Sequence, residues 1–302
     1  MIHLFGTVCI DRIRRVEKLP PIGGYAEVQE EMELLGGEAA NTAACLALWD
    51  VPVELYSNAI GVGERSDRLA YKLEAAGLSV SHLVKSGEVQ TPICDIYVTP
   101  DGERTMFGLG FVQMDRHVDI PVFESQPSAW FSCEPNMPEA AFETAQRALS
   151  KGHQVYLMDF PPGDLPVGEG GFWQSSTDLF GTKGNTQKNV QWLGRFVHDH
   201  RCFAVLSDGP NGFIAGSPTM PVRHYPPFPA PHIVDMTGAG DLFRAGMLYG
   251  LHQGLPLSDC LRIASAVGCL SVGKIGGANS APSLQAVLDH VKANPDVARS
   301  YN

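Results

Sequence analysis

The sequence predicts an α/β fold, a mainly parallel central sheet with helices on both faces. Three observations carry that reading. Through the second half of the chain, short apolar runs alternate with helical stretches, the pattern of a sheet whose crossovers are helices. Two glycine-rich turns, Gly36-Gly37 and Gly238-Ala239-Gly240, each open a helix of small or apolar residues. The length of 302 residues, 44% of them hydrophobic, suits one large α/β domain with an accessory element, taken here as a single domain over 1–302.

In chain order, residues 2–10 read as a buried strand ending at Asp11. A carboxylate at the end of a core strand sits at the mouth of an α/β sheet, where ligands bind; a turn-capping Asp would look the same. Pro20, Pro21, Gly23 and Gly24 break the chain before an exposed strand at 25–29. A helix is expected at 38–50, a strand at 53–60, a helix at 65–77 ending in Gly77, and strands at 80–84 and 93–99. Pro100-Asp101-Gly102-Glu103 is a turn that continues into a hairpin strand at 104–107. The alternation follows: strands at 129–133, 154–160, 178–182 and 203–207, with helices at 138–151 and 185–196. Short strands near 212–216 and 220–225 precede helices at 240–253, 256–272 and 283–292.

The stretch Asp235-Met236-Thr237-Gly238-Ala239-Gly240-Asp241 carries the clearest chemistry. Helix N-termini present N–H groups without intrahelical partners at a positive dipole end, and small residues let an anion approach them. Gly238, Ala239 and Gly240 are therefore candidate phosphate-binding residues. Asp241 stands at the same place, where a carboxylate repels an anion unless it has a task. The task that fits is taking the proton of a hydroxyl that attacks a phosphate. A helix-capping Asp after a plain turn is the alternative.

The Gly36-Gly37-Glu38-Ala39-Ala40-Asn41 pattern and the longer Asp235–Gly246 stretch resemble the two signatures of the ribokinase-like carbohydrate kinases, the PfkB family, and order and spacing agree over essentially the whole chain. The resemblance implies a ribokinase-like fold with a small β lid, here about 12–33 and 91–112. It implies ATP-dependent phosphorylation of a hydroxymethyl group on a small sugar or sugar-like alcohol, with Asp241 as base and Gly238-Ala239-Gly240 as anion hole. Asp11, Gly36, Gly37 and Asn41 would orient the sugar, and Arg104 of the lid is a further candidate contact. Ser207, Gly209 and Gly212 resemble the turn that lines the ATP phosphates, and Ser265, Gly276 and Gly277 lie where relatives cradle adenine. Asp235, with Ser280 in the 273–280 loop, resembles a K+ site. Asn185-Thr186-Gln187-Lys188 stands where the family has NxxE, so Asn185 is kept but Lys188 replaces the acid that helps hold Mg2+. Lys183 and Lys188 can meet phosphate as point charges, and Asp159, at a strand end, is the candidate for part of the metal work. Phe160-Pro161-Pro162 also departs from the family, where an Arg is common. Glu38 reads as a first-turn acid complementing the helix dipole; the alternative is a carboxylate that discourages a phosphorylated substrate and favours a neutral or aminated sugar.

The net charge of −11 argues against nucleic acid or an anionic membrane as the main partner. Seven scattered cysteines without CxxC, an N-terminus unlike a signal peptide and no apolar run near 18 residues lead to the expectation of a cytoplasmic protein. There is no GxxxxGK[ST], HExxH or GxSxG. A sugar or nucleotide sensor that kept the fold is the competing function: Lys188 favours it and Asp241 favours the enzyme. A lid with an exposed face favours a homodimer.

Overall fold

The computed structural model describes residues 1–115, 129–230 and 232–302. Its strands are β1 (Ile2–Gly6), β2 (Cys9–Val16), β3 (Val28–Gly36), β4 (Val53–Ser57), β5 (Ile93–Val98), β6 (Arg104–Leu109), β7 (Trp130–Cys133), β8 (Gln154–Met158), β9 (Phe172–Ser176), β10 (Phe203–Ser207), β11 (Phe213–Ser217) and β12 (Met220–Tyr225). The helices are α1 (Glu38–Leu48), α2 (Glu64–Ala75), α3 (Pro138–Ser150), α4 (Thr186–His200), α5 (Ala239–His252), α6 (Leu257–Ser271), α7 (Leu284–Ala293) and α8 (Pro295–Arg299).

Eight strands form the central sheet in the order β12-β11-β10-β9-β8-β7-β1-β4. From β10 to β4 neighbours run parallel; β11 and β12 are antiparallel. Both faces are apolar. One packs on the helices around α1, α5 and α6; the other presents Phe131, Leu157 and Trp173 to the faces of α3 and α4. Strands buried on two sides read as continuous apolar runs, which is why β1 and β8 were legible. In α5 and α6 small residues allow close approach, since a Cβ on Gly246 would lie 2.6 Å from Ala264 Cα.

The second sheet has the order β3-β2-β5-β6 and occupies the segments expected to form the lid. One expectation changes here. The run 2–10 is two strands, and Asp11 lies in the second sheet rather than at the end of a core strand. The break has a local cause: Glu134 takes the Thr7 N–H at 2.7 Å and the Asn58 side chain takes the Val8 N–H at 2.8 Å. With those N–H groups held by side chains, the chain leaves the central ladder.

Two further strands were misplaced. Residues 80–84 form no strand; the neighbourhood contributes only an isolated bridge between Ile60 and Lys85. Residues 178–182 are a turn closed by Thr182 N–H on the Thr177 carbonyl at 3.0 Å. The strand is Phe172–Ser176 instead, directly after the Gly170-Gly171 pair, where Phe172 and Trp173 are buried between β8 and β10. Helix α8 was not anticipated. Among the described residues no helix is long and apolar enough to cross a membrane.

Gly37 precedes α1 with φ +101°, and a Cβ there would run into the Thr7 carbonyl. Gly37→Ala combines backbone strain with that collision. It is expected to lower stability by about 1–3 kcal/mol, read as a lower midpoint in thermal or denaturant unfolding; an unchanged midpoint would contradict the crowding at this turn.

Candidate active site

The C-terminal ends of β1, β7, β8 and β9 meet the N-termini of α1 and α5 along one edge of the central sheet, the edge at which open α/β sheets bind ligands. Gly238 sits before α5 in the left-handed region, φ +77°, with its α-carbon packed on Gly277 so closely that a Cβ would lie 2.5 Å from Gly277 Cα. Only glycine allows both. The Gly240 carbonyl accepts from Gln174 Nε2 at 2.9 Å, and Gln174 is itself held by the Tyr156 hydroxyl at 2.6 Å. The turn is therefore fastened from β8 and β9.

Asp241 follows in the first turn of α5 and is 5% exposed. Its Oδ2 accepts from Asn41 Nδ2 at 2.8 Å, and Asn41 Oδ1 accepts the Ala278 N–H at 2.9 Å. One side chain of α1 thus joins the start of α5 to the 273–280 loop. Burial is the main cause that pushes the Asp241 carboxyl up to about 7; Arg244 and the Asn41 hydrogen bond pull it back, while Glu134 and Asp159 add to the rise. A carboxyl poised near neutrality is a better base than a free one at ~4.

Behind Asp241 lies a buried ion pair that the sequence reading did not single out. Arg244 Nη1 meets Glu134 Oε2 at 2.9 Å with both side chains 0% exposed. Glu134 Oε1 accepts the N–H groups of Thr7 and Ala39 at 2.7 and 3.1 Å. Both residues left a signal: Glu134 follows a buried strand, and Arg244 interrupts an apolar helical face. Beside them, Glu38 accepts from Asn136 at Oε1 at 3.1 Å, while its buried Oε2 has no hydrogen-bond partner. Burial, then Glu134, Asp241 and Asp159, drive the Glu38 carboxyl well above the usual range.

The remaining predicted residues fall into three groups. Asp11 is buried and pushed up to about 6, chiefly by burial, with the Cys9 thiol donating at 3.3 Å; Gly36 packs against its carboxylate. Arg104 stands further along the same sheet, with its charge near enough to Cys94 to act against the rise of that thiol. Asp11 pairs with Cys94 and Cys94 with Gly108, whereas Arg104 pairs with Val98 four residues further along, about 13 Å away at ~3.3 Å per residue. Its strand is exposed.

On the loop side, Asp235 accepts the Thr237 N–H and hydroxyl at 2.9 and 2.7 Å and the Gly276 N–H at 2.8 Å. Gly277 packs on Asn41 and Gly238, placing it beside the anion turn. Ser280 donates to the Gly277 carbonyl at 2.8 Å. Asp235 is buried, and both of its oxygens accept from the Thr237 and Gly276 donors. Ser265 is buried on α6.

At the far end, Ser207, Gly209 and Gly212 surround a residue the sequence reading passed over. Asp208 accepts from Thr177 Oγ1 at 2.6 Å, the Gly184 N–H at 3.1 Å and Asn211 Nδ2 at 3.2 Å, tying the loop after β9 to the turn after β10. Asn185 caps α4 through the Lys188 N–H at 3.3 Å, and Lys183 and Lys188 are exposed. Asp159 holds φ +57°, accepts from Ser175 at 2.8 Å, and is raised by burial. No cluster of three acidic, His or Cys side chains able to hold a metal occurs among the described residues. One carboxylate still fits Mg2+, which usually keeps waters and substrate phosphates as its other ligands.

The pfkB family carbohydrate kinase model matches residues 1–165 and 176–284. An uncharacterized sugar kinase of Dictyostelium discoideum is 33% identical, the match covering 97% of this chain and 98% of that protein. Two solved structures share the fold: ribokinase from Cryptococcus neoformans in complex with ADP, with a TM-score of 0.77 and 20% identity over 95% of this chain and 99% of that one, and Arabidopsis thaliana ribokinase complexed with ribose and ATP, with a TM-score of 0.76 and 18% identity over 96% and 97%.

The raised carboxyl at Asp241 sets a pH-dependent stability. Between its unfolded value near ~4 and its folded value the native state binds the extra proton, so this group's contribution to stability falls as pH rises through about 4 to 7 and is fully unfavourable above. Asp241→Asn removes that penalty. The variant is expected to melt above the wild type at pH 8, by about 1–4 kcal/mol of stability, with the gap closing towards pH 4. A gap of opposite sign at pH 8 would refute it.

Proposed function

This chain belongs to the pfkB family of carbohydrate kinases, phosphotransferases that use ATP on sugar-like substrates, and we propose that Asp241 is its general base. In this reading the substrate hydroxymethyl group lies against Asp241. Its proton passes to the carboxylate as its oxygen bonds to the γ-phosphorus, and the bond to the β,γ-bridging oxygen breaks to release ADP. The N–H groups of Gly238, Ala239 and Gly240 receive the charge on the transferring phosphoryl group. Such transfer depends mainly on positioning and charge stabilisation, so a modest base suffices. The carrying observation is a buried carboxyl poised at about 7 at the first turn of a helix opened by a glycine turn.

Asp11, Gly36, Gly37 and Asn41 would orient the sugar, and the turn around Asp208, with Ser207, Gly209 and Gly212, would face the nucleotide. Asp159 would hold Mg2+ together with ATP oxygens, and Asp235 with Ser280 would hold K+. The bound Mg2+ would neutralise phosphate charge. Glu38, with one carboxyl oxygen buried and unpartnered, favours a substrate carrying a hydroxyl or amine there.

Replacing Asp241 by Asn keeps size and hydrogen bonding while removing basicity. In a coupled ADP-release assay across a panel of sugars and nucleosides, the wild type should turn over at least one neutral substrate. The variant should lose roughly 10²–10⁴ in kcat with little change in KM for ATP. A folded variant that keeps more than about a tenth of wild-type kcat, a smaller loss than a base implies, would defeat the assignment.

The second sheet exposes Met106, Phe107, Leu109 and Val28 along its outer strands, and unpaired edges with apolar side chains favour association. We propose a homodimer through this sheet. Light scattering at micromolar concentration is expected to return twice the chain mass of 32.6 kDa, and Phe107→Lys to shift it to the monomer; a monomeric wild type would end the proposal.

A further inference from the structure

Arg244 is a charged residue on the buried face of α5, enclosed between Phe243 and Ala245. Its Nε donates to Thr42 Oγ1 at 2.9 Å and its Nη1 to Glu134 Oε2 at 2.9 Å. The Thr42 oxygen lies 3.1 Å from the Asp241 carbonyl and 3.0 Å from that of Glu38, so its single proton serves one of them. Glu134 in turn holds Thr7 at the end of β1 and Ala39 in the first turn of α1. One guanidinium therefore links β1, the segment after β7, α1 and α5. The same two helical turns carry Asn41 and Asp241.

The charges around Asp241 are unequal. Glu38 faces it from α1, Glu134 from the end of β7 and Asp159 from the end of β8, against the one cation on α5 itself. The 273–280 loop adds only exposed Lys274. Helix α6 adds Asp259 and Arg262, paired with each other at 2.5 Å. Asn41, Gln174 and Tyr156 are neutral.

We propose that Arg244 is a positioning residue for phosphoryl transfer: it clamps the first turns of α1 and α5 through Thr42 and Glu134, and its enclosed charge keeps Asp241 ionised among carboxylates. The inference rests on the reading of Asp241 as the base. Opposite charge close by favours the ionised acid, and burial makes that effect larger than at a surface. The clamp acts through Thr42 and Asn41, so Arg244 does not itself touch substrate.

The test follows the Asp241 carboxyl directly. In full-length protein labelled with 13C-carboxyl aspartate, its resonance is the one absent from Asp241→Asn; its titration is recorded beside kcat against pH. In Arg244→Met the titration midpoint and the rising limb of kcat should move up together by about one unit or more. In Arg244→Lys, which keeps charge but loses the fork, the midpoint should stay within about 0.3 unit while kcat falls about tenfold or more from lost alignment. Should Arg244→Met fail to fold, the double variant Arg244→Met/Glu134→Gln leaves no lone charge in the pair and carries the same test. Its midpoint should still rise, by less, since Arg244 acts on Asp241 more strongly than Glu134 does. An unmoved midpoint in the folded charge-removing variant overturns the electrostatic role, and wild-type kcat in Arg244→Lys overturns the clamp. An active Asp241→Asn would sink the base assignment instead, and the midpoint shift still decides the coupling.

Discussion

Arg244 and Glu134 carry opposite charges where water does not reach, and the site is arranged around holding them against each other. Removing one member of such a pair typically costs about 3–5 kcal/mol, because the other is left charged and unpaired. The partners come from four parts of the chain: two N–H groups to one oxygen of Glu134, the Arg244 Nη1 to the other, and the Thr42 hydroxyl oxygen accepting from Arg244 Nε, while the buried Nη2 has no hydrogen-bond partner among the described residues. Gly6 leaves the room, since a Cβ there would collide with the Glu134 carboxylate. The break between β1 and β2 follows from the same constraint. Thr7 gives its N–H to Glu134 rather than to a neighbouring strand, and the chain turns into the second sheet carrying Asp11 over the site.

The carboxylates of the site sit at a cost. Asp11, Glu38, Asp159 and Asp241 are all pushed upward, with burial the largest cause in each. Asp159 also occupies a left-handed conformation that non-glycine residues seldom adopt. Strain and unfavourable charge gathered at one edge of the sheet are what a site built for reaction shows, with stability supplied by the apolar layers behind it. Those layers are continuous on both faces of the central sheet. They hold the two helix starts rigidly enough for a pair such as Asn41 and Asp241, 200 positions apart in sequence, to meet at 2.8 Å.

Much of this was legible from local pattern. The two glycine turns, the start of α5 at the turn before Asp241, the helices α1 to α7 and most strands follow from periodicity and turn chemistry, because those signals report how each residue's immediate neighbours are buried. The carbohydrate-kinase family was legible in the same two turns, whose glycines are needed for close backbone approach. The tertiary structure alone decided the rest. It moved Asp11 off the central sheet and chose Phe172–Ser176 over 178–182 as a strand. It also joined Glu134 to Arg244 across 110 positions. A buried charge announces that it needs a partner, but nothing in its local sequence says which one, because the choice is made only when the sheet and its helices close around both.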